Sequence, residues 1–149
     1  MKKKNLFLCT HNSSRSQMAE GLLRAMYGNR YEAYSAGVVA TSVDPRAVRV
    51  MLEIGIDISA QRSKSSQEFL GTIFDLAVTV CDRAKETCPI CSTQLERPSN
   101  NPRAREVIHK SFADPAASAG SEEEQLEAFR QIRDEIKEWI SQTLGVVPK

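Results

Sequence analysis

Apolar residues along this chain come in two kinds of run, short continuous ones and longer ones with helical spacing. Leu6-Phe7-Leu8 is the first of the short kind, and Lys4 to Leu8 reads as a strand. A helix follows with Met18, Leu22, Leu23 and Met26 on one face, running to about Tyr27, where Gly28-Asn29 stop it. Tyr31 to Ser35 reads as a second strand, so the opening segment has the strand-loop-helix-strand form of a right-handed parallel crossover. Asp44-Pro45 is an N-cap followed by proline at the first helical position. The helix it opens carries Ala47, Val48, Met51 and Leu52 and is closed by Gly55. Ser65 to Leu70 predicts a short helix at best. Asp75 to Val80 contains Leu76-Ala77-Val78-Thr79-Val80, a near-continuous apolar run suited to a central strand covered on both faces.

From Asp82 to Arg105 the periodicity lapses into charged, Pro, Ser and Asn residues with two further cysteines, a length that in a compact domain is usually functional or mobile. Glu106 to Phe112 reads as a last short strand. Ser121-Glu122-Glu123-Glu124 caps a long helix, acidic at its positive end, whose stripe is Leu126, Phe129, Ile132, Ile136, Trp139 and Ile140. Strands alternating with helices predict an α/β fold, a single-domain open parallel four-stranded sheet flanked by helices on both faces. Residues 1–149 form that one domain, with a site beyond the carboxyl ends of the strands, where Cys9 and Cys81 both fall.

Composition narrows the function. With 149 residues, one domain can bury a proper core, and 20 Lys and Arg against 19 Asp and Glu leave no global basic field for nucleic acid. Lys2-Lys3-Lys4 reads as a solvated tail. No apolar stretch approaches membrane-spanning length, and the start reads as a strand rather than a signal peptide. A cytoplasmic location is therefore expected, where cysteines serve catalysis, redox chemistry or metal binding more often than structural bridges.

The chemistry centres on Cys9-Thr10-His11-Asn12-Ser13-Ser14-Arg15-Ser16, a cysteine and an arginine separated by five residues, between the first strand and the first helix. A strand that passes into a helix through such a loop turns backbone N–H groups inward and makes an anion bowl. Cys9 would sit at its floor, and Arg15 would fork two donors onto the anion, a grip lysine cannot reproduce. Arg15, the helix N-terminus and the Ser16 hydroxyl all favour thiolate, the nucleophilic form. Asn12 is expected to hold the loop's conformation. Ser13 and Ser14 contribute mainly backbone N–H groups, and His11 is a loop residue rather than a base. Asp114-Pro115 suits either a turn or a proton donor. Cys81, Cys88 and Cys91 with His109 or His11 would make a poor zinc site, since one Cys-x-x-Cys lacks its partner pair; no metal is expected. A buried-thiol reading suits Cys81 better than the other two.

Cys9 to Ser16 is followed by Gln17-Met18-Ala19-Glu20-Gly21, Ser35-Ala36-Gly37, Gly55-Ile56-Asp57-Ile58-Ser59, a strand ending at Cys81, and Asp114-Pro115. In that order, across nearly the whole chain, these motifs resemble the low-molecular-weight phosphatase superfamily and, within it, the thioredoxin-coupled arsenate reductases. The resemblance implies that Asp114 is the general acid. It also implies a relay: Cys9 attacks arsenate, Cys81 attacks Cys9 as arsenite leaves, and Cys88 moves the Cys9–Cys81 disulfide to Cys81–Cys88. Thioredoxin then reduces the enzyme, which needs no cofactor. Phosphate or sulfate would mimic the substrate in the bowl. Some relatives bind potassium near the loop, and Asn12, Glu20 and Ser35 match that set, but Arg62 and Lys64 bring positive charge where further ligand oxygens belong. Cys91 is an additional thiol that could replace Cys88 or stand by. The alternative is a phosphotyrosine phosphatase using Cys9, Arg15 and Asp114, against which Ala116-Ala117-Ser118 offers no aromatic rim. A non-enzymatic oxyanion-binding module is the weakest reading.

Overall fold

A computed structural model describes residues 2–81 and 102–145. Its elements are β1 (Lys3–Cys9), α1 (Arg15–Tyr27), β2 (Tyr31–Gly37), α2 (Pro45–Leu52), β3 (Ile73–Thr79), β4 (Arg103–His109) and α3 (Glu122–Thr143). Two short 3-10 helices, Ser66–Phe69 and Pro115–Ala117, complete them. The four strands are all parallel in the order β2-β1-β3-β4. The chain therefore winds outward from β1 in both directions, and the crevice of such a sheet opens beyond the carboxyl ends of β1 and β3.

The helices start and stop for local reasons. Asp44 caps α2, its Oδ1 accepting from Arg46 N at 2.9 Å, with Pro45 at the first position. Ser121 caps α3, and three glutamates occupy that helix's first turn, where the macrodipole favours them. The α1 N-terminus is different, because Ser14 makes no side-chain capping bond and the first turn holds no acid. That end is left open to an anion.

The register places Asn5 beside Leu76, Leu6 beside Ala77, Phe7 beside Val78 and Leu8 beside Thr79, so β1 sends alternate side chains to opposite faces. On one face Phe7 and Val78 join Met18, Leu22 and Leu23 of α1, Val50 and Met51 of α2, and Phe129, Ile136 and Ile140 of α3. On the other, Leu6, Leu8, Ala36, Phe74, Ala77 and Ala104 meet Tyr34 and Phe69. The rings of Tyr34, Phe69 and Phe74 stand edge to face at 5.6 to 5.8 Å. Among the described residues helical cover is thus present on both faces, α1, α2 and α3 on one and the Ser66–Phe69 turn on the other.

Several boundaries differ from the periodicity, β3 starting at Ile73 rather than Asp75 and β4 ending at His109 rather than Phe112. The last strand begins at Arg103 rather than Glu106, because Ile73 and Phe74 of β3 recruit Arg103 and Ala104 into the ladder. An edge strand with charged side chains carries no apolar run to announce its start. β2 extends to Gly37, paired with Cys9. No helix among the described residues is long and apolar enough to cross a membrane.

Candidate active site

β1 delivers Cys9, 3% exposed, to the floor of a cavity of about 210 Å³. The wall comes from the loop residues His11, Ser13, Ser14 and Arg15, and the rim from Thr41, Asp114 and Ala116. Thr10 and Asn12 belong to the loop but not to the lining; Asn12 is buried behind it in a left-handed conformation, φ 51°.

The loop's carbonyls explain why its amides face inward. Thr10 O accepts from Val39 N, His11 O from the Ser63 and Thr41 hydroxyls, Asn12 O from Gln17 Nε2, Ser13 O from Asp44 N and Ser14 O from Met18 N. Every carbonyl from Thr10 to Ser14 is tied to the surrounding scaffold. No described peptide bond is cis, and a trans peptide directs its N–H opposite to its C=O. The amides that follow these carbonyls therefore point toward the bowl, where together with the uncapped end of α1 they can receive a tetrahedral anion.

Around the sulfur the side chains form a directed chain. Asn12 Nδ2 donates to Ser16 Oγ at 2.8 Å, which leaves the serine's own proton free to point at Cys9 Sγ, 2.8 Å away. Asn12 Oδ1 accepts from Gln17 Nε2 and from the backbone N–H of Lys64, both at 2.8 Å. Gln61 Nε2 fixes Gln17 in turn, donating to its Oε1 at 2.7 Å. Gln17, Gln61 and Ser63 thus strap the loop from behind. The motif reading did not assign them, although a glutamine on the buried side of α1 is a signal that polar partners await it.

Arg15 is buried, its Nη1 donating to Phe112 O at 3.1 Å and its Nη2 lying 3.9 Å from Asp114 Oδ2. Asp114 makes a turn and also reaches the cavity. Oδ1 caps the Pro115–Ala117 turn through Ala116 N at 3.0 Å, and Oδ2 is turned toward Arg15 at the rim of the cavity.

Cys81 follows the carboxyl end of β3, the strand next to the one that ends in Cys9. Val80 N donates to Leu8 O at 2.8 Å, so the two cysteines leave neighbouring strands at the same edge of the sheet and belong to one core cluster. Cys81 is fully buried and does not line the cavity. It is disulfide-bonded, whereas Cys9 is a free thiol. Cys88 and Cys91 lie outside the described residues, and with them the second half of the relay and the three-thiolate metal reading. Of the two histidines named for that reading, His109 Nδ1 pairs with Thr79 Oγ1 on the neighbouring strand and His11 is exposed at the mouth. Among the described residues no cluster of three or more His, Cys, Asp or Glu could hold a metal ion.

The potassium position of the resemblance does not suit an ion here. Glu20 is buried, and its Oε1 accepts from Ser35 Oγ at 2.8 Å and faces Lys64 Nζ at 3.4 Å. Two cations meet that carboxylate, Lys64 on the buried side and the more exposed Arg24, whose Nη2 is 3.0 Å from Oε2. The Arg62 guanidinium, expected beside it, instead pairs with Glu68 at 2.6 Å on the surface, and only the Arg62 carbonyl turns inward.

Fold and site together define a class: an open parallel α/β sheet carrying a cysteine-centred loop of inward-facing amides at its strand ends. The family model described as low molecular weight phosphotyrosine protein phosphatase matches residues 4–149, and the chain belongs to that family. An arsenate reductase of Halalkalibacterium halodurans is 46% identical over 135 residues, 91% of this chain and 90% of that protein. A solved arsenate reductase in its phosphate-binding state superposes with a TM-score of 0.73 at 29% identity, over 97% of this chain and 98% of that one. A low molecular weight protein tyrosine phosphatase from T. tengcongensis superposes with a TM-score of 0.72 at 28% identity, over 97% and 99%.

Proposed function

We propose that this protein is an arsenate reductase working through a cysteine relay that thioredoxin regenerates. Relatives named arsenate reductase that match nearly end to end support the substrate. The observation that carries the chemistry is the exit of Cys9 and Cys81 from neighbouring strands at one edge of the sheet.

In this reading the loop amides and Arg15 hold arsenate above Cys9. The Cys9 thiolate attacks arsenic while Asp114 gives its proton to the departing oxygen, which leaves as water. The Cys81 thiolate then attacks Cys9 Sγ, the electron pair of the sulfur–arsenic bond passes to arsenic, and arsenite leaves with the Cys9–Cys81 disulfide formed. Cys88 attacks Cys81, Cys9 returns as thiolate, and thioredoxin, with its own dithiol oxidised, reduces Cys81–Cys88. The cycle requires no cofactor and suits a reducing, cytoplasmic setting.

Phosphate and arsenate are nearly alike in size and charge, so the bowl alone scarcely separates them. Phosphocysteine has no two-electron exit and waits for water, whereas arsenocysteine is reduced by the neighbouring thiol. No Phe, Tyr or Trp lines the cavity among the described residues, so an aryl phosphate would find no large ring to stack on and phosphatase activity would be residual.

With thioredoxin, thioredoxin reductase and NADPH, the protein is expected to consume NADPH when arsenate is added. Cys81→Ser and Cys88→Ser should each stop turnover while leaving slow hydrolysis of an aryl phosphate. Undiminished arsenate reduction in both variants would reject the relay.

A further inference from the structure

Glu20 is a carboxylate with 4% of its side chain exposed, placed behind the oxyanion loop between α1 and β2. A buried carboxylate is retained as an anion only where opposite charge and hydrogen bonds replace the lost water. Ser35 Oγ supplies one hydrogen bond, at 2.8 Å. Arg24 Nη2 approaches Oε2 at 3.0 Å, but the Arg24 side chain is 55% exposed and its charge is screened. The desolvated counter-charge is Lys64, 11% exposed, whose Nζ stands 3.4 Å from Oε1 and donates to Arg62 O at 3.0 Å.

The backbone of the same residue is built into the site. Lys64 N donates to Asn12 Oδ1 at 2.8 Å, and Lys64 O accepts from Gly37 N at 2.9 Å. From Asn12 the chain of contacts continues through Ser16 Oγ to Cys9 Sγ. Neutralising Glu20 and setting the loop that holds the nucleophile are therefore tasks of one residue. The ammonium also borders an open cavity of about 340 Å³ that reaches Glu20, Asp57 and Gln61, so an ion would have room there if the amine were removed.

We infer that Lys64 is a tethered counter-cation, a positioning residue that takes the place of a free monovalent cation and makes the oxyanion loop indifferent to potassium. The inference rests on the reading of the loop as an oxyanion site, and it concerns affinity for the anion rather than the later thiol steps. Replacing Lys64 by Met keeps the stem and deletes the charge. Replacing it by Asp puts an oxygen ligand beside Glu20, Ser35 Oγ and Arg62 O, a donor set that hard alkali cations prefer.

The test measures binding of inorganic phosphate by calorimetry, together with Tm, for the full chain in potassium or choline chloride at equal ionic strength. Wild type should bind phosphate equally in both salts. Lys64→Met should bind about tenfold more weakly in either salt, and Lys64→Arg should stay within about twofold of wild type, because arginine restores the charge. Lys64→Asp should recover both affinity and Tm saturably with potassium. A purely structural role would lower the Tm of these variants without creating potassium dependence. Wild-type-like phosphate affinity in Lys64→Met, or no potassium response in Lys64→Asp, would overturn the inference. So would a saturable, potassium-specific gain in the wild type, an outcome that does not depend on any variant folding. If wild type binds no phosphate, the oxyanion reading falls, and the potassium dependence of Tm in Lys64→Asp still decides the role of Lys64.

Discussion

A Cβ atom built on Gly37 would lie 2.7 Å from Asn12 N, 2.8 Å from Thr10 O and 2.9 Å from the His11 carbonyl carbon. All three are backbone atoms of the oxyanion loop, so no side chain can rotate away to make room. Glycine stands there because the loop and the end of β2 must touch, which gives Ser35-Ala36-Gly37 a steric meaning. Gly37→Ala is expected to leave the fold intact but push the loop off its position, lowering arsenate turnover by roughly a hundredfold, the usual cost of displacing reacting groups by about an ångström. Circular dichroism and Tm would report the fold, and the coupled NADPH assay the loss; full activity in the alanine variant would show that the loop can yield. Asn12 carries a comparable burden, since its side chain meets Ser16, Gln17 and Lys64 while its own backbone is left-handed. Asparagine tolerates that conformation better than most residues.

At the scale of elements, α2 and α3 are clamped by charge as well as by their apolar faces. Glu53, at the carboxyl end of α2, accepts from Arg130 Nε at 3.0 Å and Nη2 at 2.9 Å, and from Arg133 Nη1 at 3.1 Å. Arg133 Nη1 also donates to Val50 O at 2.8 Å, satisfying a carbonyl in the last turn of α2. Hydrogen bonding from Arg130, supported by Arg133, holds the Glu53 carboxyl below the ordinary glutamate range. A carboxyl depressed in the folded state stabilises fully above its unfolded value and loses that contribution as pH falls through the folded value. Glu53→Gln should therefore lower Tm by about 1–3 °C near neutral pH, and the difference should vanish in acid below the folded-state value. The size is modest because the site is partly exposed and screened. A constant difference at all pH values would assign the effect to packing instead.

The described structure rests on the core between the sheet and helices α1, α2 and α3, and one residue in it is out of keeping. Asn5 is fully buried on β1, and neither side-chain amide atom has a hydrogen-bond partner. It lies at the end of the sheet remote from Cys9, beside Ala33 and Leu76. Nothing in the described structure uses it. An unsatisfied buried amide costs stability, and leucine has nearly the same shape, so Asn5→Leu should stabilise the fold by about 1–2 kcal/mol in urea unfolding without changing activity. Destabilisation would indicate a partner for that amide. The periodic stripes of α1 and α3, the caps at Asp44 and Ser121, and the Cys9-to-Arg15 spacing were legible in the sequence, because each depends on residues a few positions apart. The start of β4 was not, since a charged edge strand takes its register from β3. Nor were the strap of Gln17, Gln61 and Ser63 and the placement of Lys64 rather than the Arg62 guanidinium at Glu20. Sequence by itself determined the order of strands and helices along the chain and the loop that carries Cys9, through side-chain spacing and local capping. Tertiary structure alone decided the strand order β2-β1-β3-β4, the arrival of Asp114 at the cavity above Cys9, and the approach of Lys64 to Glu20. Those meetings join segments far apart in the chain, and burial and charge balance in three dimensions select them.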